Sequence, residues 1–143
     1  MNLLRIITNK MEKTLSIIKP DAMERNLEDK IKKIFVENNF EIIKEKKVKL
    51  EKKEAEQFYK VHETKPFYDD LCNYLSSGPV LVMVLKKENA IADNRKIMGS
   101  TNPKDADLGT IRKQFGISID KNSVHGSDSK ENAQKEISFF FKD

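Results

Sequence analysis

The sequence predicts an α+β fold, one sheet of four strands covered by helices, and three observations predict it. Its 143 residues suit a single domain, large enough to bury a core and too short for two ordinary ones. Two apolar runs of strand length, Leu15 to Ile18 and Val80 to Leu85, are each bounded by turn-forming residues. Around them apolar residues recur at helical spacing, so strands and helices interleave along the chain.

Leu15 to Ile18 forms the first strand, and Lys19-Pro20-Asp21 ends it because proline stops a strand and turns the backbone. Leu27, Ile31, Ile34 and Phe35 share one stripe and make an amphipathic helix that ends at Asn38-Asn39. Phe40 to Leu50 is extended, rich in β-branched residues yet heavily charged, hence a strand exposed on one side. From Glu51 to His62, the residues Ala55, Phe58, Tyr59 and His62 lie on one helical stripe, which Thr64-Lys65-Pro66 breaks. Tyr68 to Leu75 is a further short helix. After the turn Ser76-Ser77-Gly78-Pro79, the uninterrupted apolar run from Val80 has the pattern of a central strand covered on both faces. Asn89 to Met98 suits a helix, and a long irregular loop follows from Gly99 to Gly109. An apolar turn between Ile111 and Ile119 leads to a last strand ending near His125, and Ala133, Ile137, Phe140 and Phe141 mark the last helix. The economical arrangement is a sheet covered on one face by these helices. No repeat, low-complexity tract or linker interrupts it.

Hydrophobic residues make up 38% and charged residues 35%, with both signs interspersed, which points to solvated helix faces and not to disorder. The net charge of +4 suits an anionic partner, whether nucleic acid, nucleotide or membrane surface, without choosing among them. Cys72 is the only cysteine, so no intramolecular disulfide forms, and no apolar run has membrane-spanning length. A soluble, reducing, cytoplasmic setting is expected. Residues 1–12 read as an N-terminal extension, disordered or belonging to an upstream start, with no secretory cleavage pattern and with Met11 as an alternative start. The domain proper is expected over residues 13–143.

None of the five glycines builds a G-x-x-x-x-G-K-[ST] or G-x-G-x-x-G phosphate cradle, so any nucleotide must be held by side chains. One cysteine and two distant histidines, His62 and His125, supply no metal-ligand spacing. His125 stands at a strand end before Gly126, whose missing side chain allows close approach. Asp128 and Glu131 have the D-x-x-E spacing of a helix start, so His125 is expected to face a helix N-terminus, which attracts anions and keeps the imidazole neutral. A histidine satisfied by local hydrogen bonds is the competing reading. Glu136 falls beside the buried stripe of the last helix, where its carboxylate either orients an imidazole or reaches water. Lys19, Arg95 and Arg112, with Thr101 in the irregular loop, have the chemistry of a polyphosphate clamp, although among 27 lysines and arginines each also suits a solvated face. Phe67, just past Pro66, is either core or a platform for a base. Tyr59 reads as core, and Tyr68, Phe58 and His62 as structural.

From Lys13 onward the chain resembles the nucleoside diphosphate kinase family. The segments that carry the likeness are T-L-S-I-I-K-P-D from Thr14, K-P-F-Y from Lys65, S-G-P-V from Ser77, M-G-S-T-N-P from Met98, G-T-I-R from Gly109 and N-S-V-H-G-S-D from Asn122. The resemblance implies a ferredoxin-like βαββαβ sandwich with a four-stranded antiparallel sheet. It also implies ping-pong transfer of a γ-phosphate from a nucleoside triphosphate, usually ATP, to a nucleoside diphosphate, a reaction that balances nucleotide pools. By the same likeness His125 is the phosphorylated nucleophile through Nδ1, and Glu136 and Ser127 hold it. Lys19, Tyr59, Arg95, Thr101, Arg112 and Asn122 match phosphate, sugar and active-site positions, and Phe67 stacks on the base with Leu71 and Ile119 beside it. Mg²⁺ is carried by the nucleotide phosphates, with Asp128 reaching it through water and no metal cage built by the protein. Arg25 to Asp29 replaces glycines common in the family after the first strand. The resemblance implies a homo-oligomer, with tetramer and hexamer both open because the chain ends soon after the last helix, like the short members of the family. A catalytically weak regulatory or nucleic-acid-binding protein on the same fold is the rival reading, with nucleic acid otherwise a secondary partner.

Overall fold

A computed structural model describes residues 11–142 of the chain. The extension expected over residues 1–12 therefore lies outside the described residues up to position 10, while Met11 and Glu12 are strand residues. The elements in order are β1 (Met11–Ile18), α1 (Pro20–Glu24), α2 (Glu28–Glu37), β2 (Glu41–Val48), α3 (Lys52–Phe58), α4 (Tyr68–Leu75), β3 (Val80–Glu88), α5 (Ala90–Met98), α6 (Ile111–Phe115), β4 (Val124–Gly126) and α7 (Lys130–Phe140). Short 3₁₀ turns at Lys60–His62 and Pro103–Asp105 fill the connections.

The four strands form one antiparallel sheet in the order β2-β3-β1-β4, the ferredoxin-like arrangement. Strand periodicity divides the apolar residues between two cores. Ile18, Leu81, Met83, Leu85 and Val124 face one side, where Ala22, Ile31, Phe35, Ala90, Met98 and Ile111 cover them. Leu15, Ile17, Val80 and Val82 face the other, against Ala55, Tyr59, Cys72, Leu75 and Phe140. Helices thus cover both faces, not one as the sequence suggested; the helices over residues 51–75 and the last helix need a surface of their own. Val80 to Leu85 is buried throughout, as its uninterrupted apolar run requires, and each such side chain stabilises the fold by about 1.5–3 kcal/mol.

Pro20 does more than stop β1. It occupies the first turn of α1, where a missing N–H costs nothing and a fixed φ favours the helix. β1 itself extends four residues earlier than the apolar run because Met11, Glu12, Lys13 and Thr14 pair with Glu88, Lys87, Lys86 and Leu85 of β3. No helix among the described residues is long and apolar enough to cross a membrane.

Candidate active site

β4 is three residues long, yet it fixes His125 by pairing it with Ile17 of β1. Just beyond, the wholly buried Ser127 exchanges bonds with Leu15: the Leu15 N–H donates to Ser127 Oγ, and the Ser127 N–H donates to the Leu15 carbonyl, both at 3.2 Å. The Ser127 hydroxyl in turn donates to Glu136 Oε1 at 2.8 Å, and His125 Nε2 lies 2.9 Å from that same oxygen. An ionised carboxylate only accepts, so the imidazole donates through Nε2–H and keeps its lone pair on Nδ1. Nδ1 makes no hydrogen bond to a described residue. The Glu136 carboxylate, placed beside the buried stripe by its spacing, is thus found on His125 and not in bulk water.

Two local readings change. The N-cap of α7 is Ser129, whose Oγ accepts the Asn132 N–H at 3.1 Å, while Asp128 accepts the Asn132 side-chain amide at 2.6 Å. Serine and aspartate are equally good caps, and here the extended backbone of Ser129 decides. His125 accordingly meets the second turn of α7 through Glu136 and not its N-terminus. Gly126 does allow a close approach, but by the fold itself: a Cβ there would stand 2.4 Å from Asn94 Nδ2 and 2.7 Å from Met98 Sδ of α5.

The cations gather on the other side of β4. Lys19 is buried; its N–H donates to the Ser123 carbonyl and its Nζ to Asn122 Oδ1, both at 2.9 Å. Asn122 donates its amide hydrogens to the carbonyls of Thr101 at 3.0 Å and Ile119 at 3.1 Å, tying the irregular loop to the strand. Arg112, also buried, donates to the carbonyls of Gly99 at 3.0 Å and Val124 at 2.9 Å, and its Nε has no partner. Neutral oxygens hold both cations, so their charge is not cancelled by an ion pair. Burial, and next the charge of Arg112, lowers the Lys19 ammonium to about 8. Burial, and next Arg95, lowers Arg112 to about 10, which leaves it charged. The buried Tyr59 hydroxyl is raised, first by burial and then by the Glu136 charge, while the Arg112 charge opposes the shift.

Two openings serve this site. One, about 290 Å³, is lined by His125, Gly126, Asp128, Glu136, Tyr59, Phe58 and His62. The other, about 670 Å³, is lined by Arg95, Thr101 and Arg112 with Gly99 and Thr110. Arg95 and Asp128 share a rim, and the side-chain amide of Asn132 first, with Arg95 among the lesser causes, keeps Asp128 below the ordinary carboxylate range. Asp128 is therefore an ionised, exposed oxygen donor, which fits a cation that keeps most of its water shell. No cluster of three or more His, Cys, Asp or Glu side chains among the described residues could cage a metal. Phe67 is 46% exposed, with its ring 6.2 Å from that of His62 and under the Lys65 ammonium. Leu71 packs on the second core, and Ile119 is exposed.

Phe58 and His62, structural residues by their place on the helical stripe, also border the site. Phe58 meets the His125 ring edge-on with centroids 5.2 Å apart, and His62, lowered by burial and then by Lys65, lines the same opening. Their i, i+4 spacing on the stripe that carries Tyr59 was the available signal. The arrangement places a nitrogen lone pair at one opening and the Arg95 and Arg112 guanidinium groups at the other, chemistry suited to an electrophile that bears negative charge.

A family model described as nucleoside diphosphate kinase matches residues 12–143. The nucleoside diphosphate kinase of a Geobacter species is 55% identical over 131 residues, covering 92% of this chain and 96% of the relative. That of a Nitratiruptor species is 57% identical over the same shares of both. A crystal structure of the Aquifex aeolicus nucleoside diphosphate kinase superposes with a TM-score of 0.91 at 42% identity, covering 92% of this chain and 96% of that one.

Proposed function

The chain belongs to the nucleoside diphosphate kinase family of enzymes, and on that premise we propose that it moves the γ-phosphate of a nucleoside triphosphate, usually ATP, to a nucleoside diphosphate through a phosphohistidine on His125. The observation that carries this reading is the Nε2 contact of His125 with Glu136 at 2.9 Å, which leaves Nδ1 with the lone pair. In the first half-reaction that pair attacks the γ-phosphorus, the bond to the β-bridging oxygen breaks, and the nucleoside diphosphate leaves with the electrons. Glu136 stabilises the positive ring through the Nε2 proton. In the second half a terminal oxygen of the acceptor's β-phosphate attacks phosphorus and the N–P electrons return to Nδ1. No proton has to move, so positioning and charge supply the catalysis.

Lys19, Arg95, Arg112 and Thr101 hold the phosphates, Tyr59 supports the nucleophile corner, and Lys19 with Asn122 reaches the sugar. Phe67 stacks on the base, with Leu71 and Ile119 as apolar neighbours; stacking without base-edge bonds gives broad nucleotide tolerance. The nucleotide phosphates would carry Mg²⁺, which would supply charge neutralisation during transfer, and Asp128 is the residue that would reach it, through water. Balance among nucleoside triphosphate pools is the cellular role. A single buried thiol, Cys72, supports a cytoplasmic setting. Among the described residues β2 is an outer strand of the sheet, which supports assembly into a homo-oligomer, tetramer or hexamer.

Initial rates measured with donor and acceptor both varied test the mechanism. Parallel double-reciprocal lines are expected, with no phosphate released unless acceptor is present. Intersecting lines, or phosphate released to water without acceptor, overturn it.

A further inference from the structure

Two residues before His125 the backbone takes a conformation rare elsewhere among the described residues. Four non-glycine residues among those described have positive φ: Asn26, Asn39, Asn89 and Ser123. The asparagines are exposed turn residues of a type that tolerates this region. Ser123, at φ 76, is wholly buried. The Val124 N–H donates back to the Asn122 carbonyl at 2.9 Å and closes a γ-turn around Ser123. With φ positive this is the rare, strained form, and such strain persists only where the surroundings over-determine it.

The surroundings that do so lie outside both openings of the site. Ser123 Oγ donates to Asp21 Oδ2 at 3.1 Å. Asp21 Oδ1 accepts the Tyr74 hydroxyl, and the Asp21 N–H donates to the Tyr74 oxygen at 2.8 Å. Arg25 completes the enclosure, donating to Asp21 Oδ2 at 3.1 Å and to the Phe115 carbonyl at 2.6 Å. The Asp21 side chain is only 2% exposed. The turn so held grips Lys19 at both ends: the Ser123 carbonyl takes its N–H and the Asn122 amide oxygen takes its Nζ, each at 2.9 Å. The same turn delivers Val124, whose carbonyl holds Arg112 at 2.9 Å, and then His125.

Resting on the phosphotransfer reading above, we propose that Tyr74 and Asp21 are positioning residues: through Ser123 they hold the strained turn that sets Lys19, Asn122 and Arg112 against His125. They touch neither nucleotide nor nucleophile. A buried network that served folding alone would fix Tm but not the turnover of the folded enzyme.

Glycine separates the two roles, because it adopts φ near +76 without penalty and makes the clamp dispensable. The test compares wild type with Tyr74→Phe, Ser123→Ala, Ser123→Gly and the double variant Tyr74→Phe/Ser123→Gly, measuring kcat, KM and Tm. Tyr74→Phe and Ser123→Ala are expected to lower kcat about tenfold while KM for nucleotide changes by less than about threefold. Ser123→Gly is expected to keep most of kcat, and Tyr74→Phe to cost less than about threefold in that background. Wild-type kcat in folded Tyr74→Phe, or a Ser123→Gly enzyme as slow as Ser123→Ala, overturns the proposal. Should Tyr74→Phe fail to fold, the Ala-against-Gly comparison at Ser123 decides, since both remove the same hydroxyl. A wild-type protein that transfers no phosphate overturns the functional reading instead, and needs no variant to show it.

Discussion

The two corners of the site are built on opposite principles. At the histidine corner a half-open imidazole is given a carboxylate partner: His125 and Glu136 are 21% and 19% exposed and 2.9 Å apart. At the cation corner Lys19 and Arg112 are buried, yet their hydrogen bonds run to an amide oxygen and to main-chain carbonyls. A buried charge held by neutral oxygens is costly to the fold: burial first and a neighbouring cation next lower both Lys19 and Arg112, and the Asp21 and Asp120 carboxylates only partly offset this at Lys19. What the fold loses there an anionic ligand recovers. In the proposed reaction the carboxylate would face the positive charge that develops on the imidazole, and Lys19 and Arg112 would meet the arriving negative charge.

Removing either corner should therefore fail differently. The largest effect is expected from His125→Ala, with turnover down on the order of 10⁴-fold or more while nucleotide binding, measured by calorimetry, persists. Binding lost together with turnover would mean that the two corners are not separate devices. Arg112→Lys keeps the charge but loses the planar fork held by the Gly99 and Val124 carbonyls, and kcat/KM should drop about 100-fold. A near-normal value would show that charge alone suffices. Glu136→Gln still accepts the Nε2 proton but no longer answers a positive ring; kcat should fall about tenfold with KM little changed.

The smallest effect is the pH dependence of the cation corner. Phosphate binding by the free enzyme should weaken as pH rises through about 8, where Lys19 loses its proton, and Lys19→Arg should abolish that fall. Stability moves the other way. The folded Lys19 value lies below the unfolded 10.5, so between about 8 and 10.5 the unfolded chain binds more protons. The unfavourable contribution of Lys19 is thus complete below about 8 and is relieved as pH climbs. Urea unfolding at pH 7 and pH 9.5 in wild type and Lys19→Met checks the sign: the wild type should gain on its variant at the higher pH.

The two corners were also unequally legible in the sequence. His125 and Glu136 lie on adjacent elements, and helical spacing alone placed the carboxylate beside the buried stripe. The junction of Lys19, Asn122, Thr101 and Ile119 joins segments up to 103 positions apart, and only sheet pairing brings them together. The strained turn at Ser123 was invisible, since serine carries none of the positive-φ signal that glycine or asparagine would. In the fold, the all-apolar run of β3 announced a doubly covered strand. The first residues of β1 did not show, because charged side chains there are paired through the backbone. α1 was missed because a proline after a strand reads equally as a stop and as a helix start.

The central claim, that His125 carries the phosphate between two nucleotides, is tested most directly by trapping it. The protein is mixed with γ-labelled ATP and Mg²⁺, quenched in alkali, freed of nucleotide, and then offered a nucleoside diphosphate under native conditions in a parallel sample. Acid-labile, alkali-stable label is expected on the wild type, with full transfer to the acceptor, and none on His125→Ala. Label that survives in His125→Ala, or a wild type that turns over without ever carrying label, would contradict it.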